Sequence, residues 1–222
     1  MTGLVIPFNP LDKRNLGSSV ASALITQKPK PLRDLRSFFG AGIYAIFYRG
    51  KFKPYAPIAL RNQGPEPAMP IYVGKAIPIG ARKGGALPDA TKSKALFSRL
   101  REHADTIETT SNLNIDDFLC RFLVVDDIWI PLGESLLIAE FTPLWNSLVD
   151  GFGNHDPGGG RYKGLRPRWD ALHPGRSWAD KCQARPETAQ SIAGDVEEFL
   201  RAMRAEAESP TKPLASSRTK RK

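Results

Sequence analysis

The chain is short of sulfur and imidazole, with 2 cysteines and 3 histidines among 222 residues. Cys120 and Cys182 are too few for a disulfide framework or a cysteine zinc centre. Cys120 lies in an apolar run and reads as a buried free thiol. No uninterrupted apolar stretch approaches the roughly 20 residues that cross a bilayer. The start, MTGLVIPFNPLDKRN, lacks the basic head and longer apolar core of a secretory signal. These absences predict a soluble cytoplasmic protein with no membrane association. Acids are also outnumbered, 23 against 32 Lys and Arg, which leaves a net charge of +9. Such an excess favours a polyanionic partner.

What is present is ordinary for a globular fold: 41% hydrophobic and 25% charged residues. The length suits one well-packed domain, or a modest core with additions. Residues 1–36 mix proline and basic residues around one apolar patch (VASALI) and read as an N-terminal arm carrying one helix. Residues 42–48 (GIYAIFY) and 70–74 (PIYVG) have the β-branched and aromatic content of strands. The proline-rich link between them reads as a long loop on an antiparallel pair. A basic loop is expected at about 75–95, followed by a helix with Leu96, Phe97, Leu100 and Ala104 on one stripe. Residues 118–127 read as a third, largely buried strand. Pro131 opens a helix that runs to about Glu140, and Pro143 ends it. Beyond 149 the chain turns glycine-rich and basic, a loop at most, until Ile192, Val196, Phe199, Leu200 and Met203 mark a last amphipathic helix. The expected division is therefore an arm (1–36), a core (37–148), an extension (149–208) and a basic disordered tail (209–222).

Several polar residues fall at telling places on these elements. Tyr44 and Tyr72 sit on strands that can pair, so their hydroxyls can converge. Arg99 and His103, four residues apart, share a helix face. Glu134 lies near the start of the next helix, and Asn146 follows just after the Pro143 turn. In that order the pieces resemble the GIY-YIG nuclease superfamily: GIY at 42–44, YVG at 72–74, Arg99, Glu134 and Asn146. Any one of them occurs often by chance; their order on elements of the right type does not. The longer stretch between Tyr72 and Arg99, with His103 and the later FGNHDPGGGRY segment, resembles the type II restriction enzymes that cut GC-rich palindromes.

That resemblance implies an α/β (α+β) fold, a small antiparallel sheet flanked by helices, with basic loop insertions and terminal extensions. It implies hydrolysis of double-stranded DNA at a short palindrome such as CCGCGG, leaving 5′-phosphate and 3′-hydroxyl ends. A homodimer and a cognate DNA methyltransferase in the host are the implied partners. Glu134 would hold one Mg²⁺, which keeps most of its waters, while Arg99 stabilises charge on the phosphate. Tyrosine, with a reference pKa near 10, is a poor base at neutral pH unless Arg99, the metal or a protonated His103 lowers that value. Tyr44 is favoured as the base with Tyr72 orienting water or phosphate; relay from Tyr44 to neutral His103 is the alternative. Asn146 would hold Glu134 or a loop in place. Glu140 ranks second for the metal, whereas His155 and Asp156 read as turn residues.

Lys75, Arg82, Lys83, Arg161, Lys163, Arg166 and Arg168 cluster beside glycines and are the candidates for DNA contact. The four tryptophans, Trp129, Trp145, Trp169 and Trp178, read as packing residues. Other readings are weaker. No Asp or Glu has Lys two positions on, so the commonest restriction-enzyme motif is not completed. Three scattered histidines do not suit a metal-finger nuclease. Homing, nicking and repair relatives usually carry a separate DNA-binding domain, of which no signal is seen. A non-catalytic DNA-binding protein would explain the charge without requiring every motif residue.

Overall fold

The computed structural model describes residues 9, 11–78 and 92–208. Its centre is one antiparallel sheet in the order β1-β4-β2-β3. These strands are β1 (Lys30–Pro31), β2 (Gly42–Tyr48), β3 (Pro70–Ala76) and β4 (Phe118–Val124). Strand β2 is buried along its whole length, which explains its unbroken apolar sequence. Both faces of the sheet are covered. On one lie α1 (Lys13–Ile25) and α4 (Ile130–Phe141), closing over Ile43, Ala45, Phe47 and Val73. On the other, Tyr44, Ile46 and Tyr48 pack with α3 (Ala95–Glu108), the short α5 (Leu144–Ser147) and α7 (Ala189–Glu208).

Three segments differ from the sequence expectation. The link between β2 and β3 contains α2 (Ala56–Arg61), started by proline and held by buried Ile58 and Ala59. The buried Asn62 side chain closes this link, donating to Tyr48 O and Met69 O and accepting from the amides of Ala68 and Met69. The presumed N-terminal arm is built into the layers: Leu24 of α1 and Leu32 beside β1 are fully buried, and β1 pairs with β4. The stretch after 149 is far more than a loop. Phe152, Trp169 and Leu172 enter the main core, and α6 (Arg168–Leu172) packs on α7. Widely spaced aromatics supply this burial, so no short-range periodicity announces it.

Trp145 and Trp169 are core residues as expected, but Trp129 is 47% exposed at the start of α4. Cys120 is buried and unpaired, and burial pushes its thiol up to about 12. Among the described residues no helix is long and apolar enough to cross a membrane. The segment 79–91, with Arg82 and Lys83, and the tail 209–222 lie outside the described residues.

Candidate active site

The β2–β3 register sets the first two residues. Tyr44 lies opposite Gly74, and Ile46 opposite Tyr72. Two-residue periodicity then puts Tyr44 and Tyr72 on the same face as diagonal neighbours, their ring centroids 6.2 Å apart. Gly74 is required here for space. A Cβ at that position would fall inside the van der Waals envelope of Tyr44 Oη, so the glycine is the seat for the hydroxyl.

Helix α3 crosses this face and delivers Arg99 and His103 one turn apart. His103 is buried, with Nε2 2.6 Å from Tyr44 Oη. The Phe152 ring stacks on the imidazole at 4.5 Å and 17°. Burial, reinforced by the charge of Arg99, drives the His103 pKa well below its ordinary value. A protonated His103 is therefore not available to lower a tyrosine pKa, contrary to one sequence expectation. Burial also raises Tyr44 well above its usual range, with Tyr72 adding to the shift and Arg99 opposing it. Tyr72 is raised by burial as well, again against the pull of Arg99.

Arg99 is held by three acceptors: Glu102 Oε2 at 2.8 Å, Gly153 O at 2.6 Å and His155 Nε2 at 2.7 Å. Gly153 presses close, because a Cβ there would sit 2.6 Å from Tyr72 Oη and 3.2 Å from Arg99 Nη2. Arg101, by contrast, reaches Arg33 O and Asp105.

Glu134 and Lys75 meet on the α4 side of β3, joined through Oε2 and Nζ. Lys75 thus sits in the site as the counter-charge of Glu134, a placement not anticipated for a DNA-contact candidate. The Glu134 side chain retains 19% exposure, so solvent reaches it. Glu140 lies elsewhere, on a cleft with Arg61, Met69 and Met203. Asn146 makes no hydrogen bond to Glu134. Its Nδ2 donates to Val73 O at 2.8 Å, and its Oδ1 accepts from Val73 N at 2.8 Å. Since β3 is the outer strand, these two bonds supply what a further strand would have supplied. Asn146 therefore fixes the edge strand between Tyr72 and Gly74.

The basic candidates divide. Lys163 is exposed. Arg166 is committed to Ala179 O at 3.1 Å and Asp180 at 3.2 Å. Arg168 pairs with Asp195 on α7. Both arginines therefore hold the fold together at their present positions. Arg161 lies in the short Gly159–Arg161 turn. Asp156 accepts from Gly158 N at 2.8 Å and from Tyr162 Oη, the turn role expected of it. His155, expected as a turn residue, also supports Arg99.

For a divalent ion, the described residues hold no cluster of three His, Cys, Asp or Glu. The donor available is a single hard carboxylate, Glu134, reachable from solvent. That donor set fits Mg²⁺, which dehydrates reluctantly and is commonly bound by one or two carboxylates with waters and substrate phosphate.

An antiparallel sheet with paired tyrosines, an arginine–histidine helix and one acid beside them defines an enzyme of the GIY-YIG nuclease class. The model of the Eco29kI GIY-YIG domain, a type II restriction endonuclease family, matches residues 36–200, and the chain belongs to that family. The match carries with it a nuclease domain whose substrate is DNA, in a class that generally works with divalent metal ions. A comparison with curated proteins finds no match.

Sequence reasoning missed Phe152, Gly153 and the pairing of Lys75 with Glu134. The signal available for the first two was the FGNH tetrapeptide at 152–155, which supported the family resemblance without being read as a source of site residues.

Proposed function

We propose that the protein is a cytoplasmic type II restriction endonuclease, acting as a Mg²⁺-dependent homodimer on a short GC-rich palindrome and leaving 5′-phosphate and 3′-hydroxyl ends. CCGCGG is the target the family resemblance suggests, with a methyltransferase of the same specificity as its protective partner. The motif residues lie within 37–148, and 149–208 supplies recognition or dimer contacts besides the aromatic residues it packs into the same core. The observation that carries the reading is the Tyr44–His103 hydrogen bond at 2.6 Å, with Tyr72 and Arg99 on the same face and Glu134 on the α4 side of β3.

Arg99 offers the scissile phosphate planar donors and compensates the charge that develops on it. A free Tyr44 phenolate is costly in this buried site. The favoured course has Tyr44 Oη accept a proton from the attacking water while its own passes to neutral His103 Nε2. The resulting imidazolium is stabilised by the negative phosphate that arrives with the substrate. Tyr72 orients the water or a phosphate oxygen. Glu134 would hold Mg²⁺, whose role when bound is to neutralise phosphate charge and assist the leaving 3′ oxygen. Lys75 balances Glu134 beforehand, keeping a partly exposed acid from repelling DNA. Lys75, Lys163 and Arg161, with Arg82 and Lys83 of the basic segment outside the described residues, are the proposed DNA contacts. Arg166 and Arg168 join them only by exchanging their acidic partners for phosphate.

Digestion of a mixed-sequence plasmid by the purified protein, with Mg²⁺ and with EDTA, tests this. Discrete metal-dependent fragments are expected, with ends that report target and stagger. Nicks or a smear would refute the sequence-specific dimer, and binding without cleavage would refute the enzyme.

A further inference from the structure

Arg176 makes a set of contacts that a packing residue does not need. Its guanidinium is buried, lying 4.8 Å from the Trp169 ring and 4.7 Å from the Trp178 ring. All the guanidinium N–H groups find acceptors. Nε donates to Asp170 Oδ1 at 2.6 Å, and Nη2 to Asp170 Oδ2 at 2.5 Å and to Gly151 O at 2.9 Å. Nη1 donates to Phe152 O at 3.2 Å and Asn154 O at 2.9 Å. Within the turn 151–154, the one carbonyl it leaves alone is that of Gly153, which accepts from Arg99 Nη2 at 2.6 Å. The same turn lays Phe152 on His103 and brings Gly153 against Tyr72 Oη. Three residues of the candidate site therefore take their placement from a turn whose remaining carbonyls are gripped by one side chain.

We infer that Arg176, oriented by Asp170, is a positioning residue for DNA cleavage: it presents Gly153 O to Arg99 and Phe152 to His103. This rests on the nuclease reading above. A planar fork with five donors is what the arrangement requires, and lysine, with three donors on a flexible stem, cannot reproduce it. A buried ion pair is also weak evidence of a stability role, since well-packed apolar replacements are often neutral. Holding a loop to within a fraction of an ångström is what such a group contributes.

The test uses the full chain as wild type, as Arg176→Lys, and as the pair Arg176→Met with Asp170→Leu, which removes both buried charges together. Thermal midpoint, affinity in EDTA for a duplex the wild type cuts, and single-turnover cleavage across pH are measured. Folded variants should bind DNA within about threefold of wild type yet cleave about 100-fold more slowly, the loss typical of small misplacement. The acid limb of their rate profile should move to higher pH: in Arg176→Lys because a loosened Phe152 exposes His103 to water, and in the double variant also because the positive charge of Arg176 no longer opposes the imidazolium. Should one variant fail to fold, the other carries the comparison. A folded variant that cleaves at the wild-type rate overturns the inference. So does a loss that merely tracks the folded fraction while the pH profile stays put. A wild-type protein that cuts no DNA sinks the nuclease reading instead, and this inference with it.

Discussion

Replacing Gly74 with alanine adds one methyl group and should disable the site while leaving DNA binding in place. The added Cβ would overlap Tyr44 Oη, so the hydroxyl must retreat by about 1 Å. It cannot do so and keep its 2.6 Å contact with His103 Nε2, because His103 is itself wedged against Phe152 and Tyr72. Overpacking of this kind costs about 1–3 kcal/mol of stability, and misplacing a reacting group by about 1 Å costs about 100-fold in rate. The two losses separate in a double-mutant cycle. Tyr44→Phe removes the oxygen, although ring carbon Cζ still lies 2.5 Å from the added Cβ, so Gly74→Ala should cost less stability in the Tyr44→Phe background than in the wild type without becoming neutral. Cleavage should stay abolished in that background, because phenylalanine has no proton to pass. Urea unfolding midpoints of the four proteins and single-turnover cleavage rates give the full comparison. If Gly74→Ala cuts at the wild-type rate, or costs as much stability without the hydroxyl as with it, the seat assigned to Gly74 is wrong.

Glu134→Gln should reduce cleavage by at least about 100-fold with DNA affinity nearly unchanged, measured by gel assay and anisotropy, since it removes the carboxylate proposed to hold the metal. Full activity in that variant would discard the metal assignment. Arg99→Ala should slow cleavage by about 100- to 1,000-fold, the usual loss of one charge-stabilising donor, and a negligible change would take Arg99 out of the site. Stability should fall as pH drops below about 6.5, because His103 and His173 are buried and neutral. Burial holds His173 down at about 3, so the unfolded chain binds protons there that the folded one refuses. Each histidine then contributes full stability above its unfolded pKa and withdraws about 1.4 kcal/mol per pH unit below it, until its folded pKa is reached. Denaturation midpoints at pH 8, 6 and 5 check this, and a flat profile would contradict the burial of both rings.

Much of this molecule was legible locally. The β-rich runs at 42–48 and 70–74, the helix stripe beginning at Leu96 and the prolines at 131 and 143 carry their meaning within a few residues. Spacing along one helix was enough to pair Arg99 with His103, and the motif order was enough to point to the family. The second half of the site was not legible. Lys75 meets Glu134 across 59 positions, and Asn146 holds Val73 across 73. Nothing in a basic residue beside glycine tells whether it faces phosphate or, like Arg168, an acid on a later helix. The aromatic residues after 149 have no short period, so only their burial on the sheet reveals a core. Local sequence determined the elements and the order of the reactive groups, because backbone propensity and side-chain period act over a turn or a strand. Tertiary structure decided which partner each polar group takes, because a buried donor or acceptor must be satisfied by whatever the folded chain brings within about 3 Å of it.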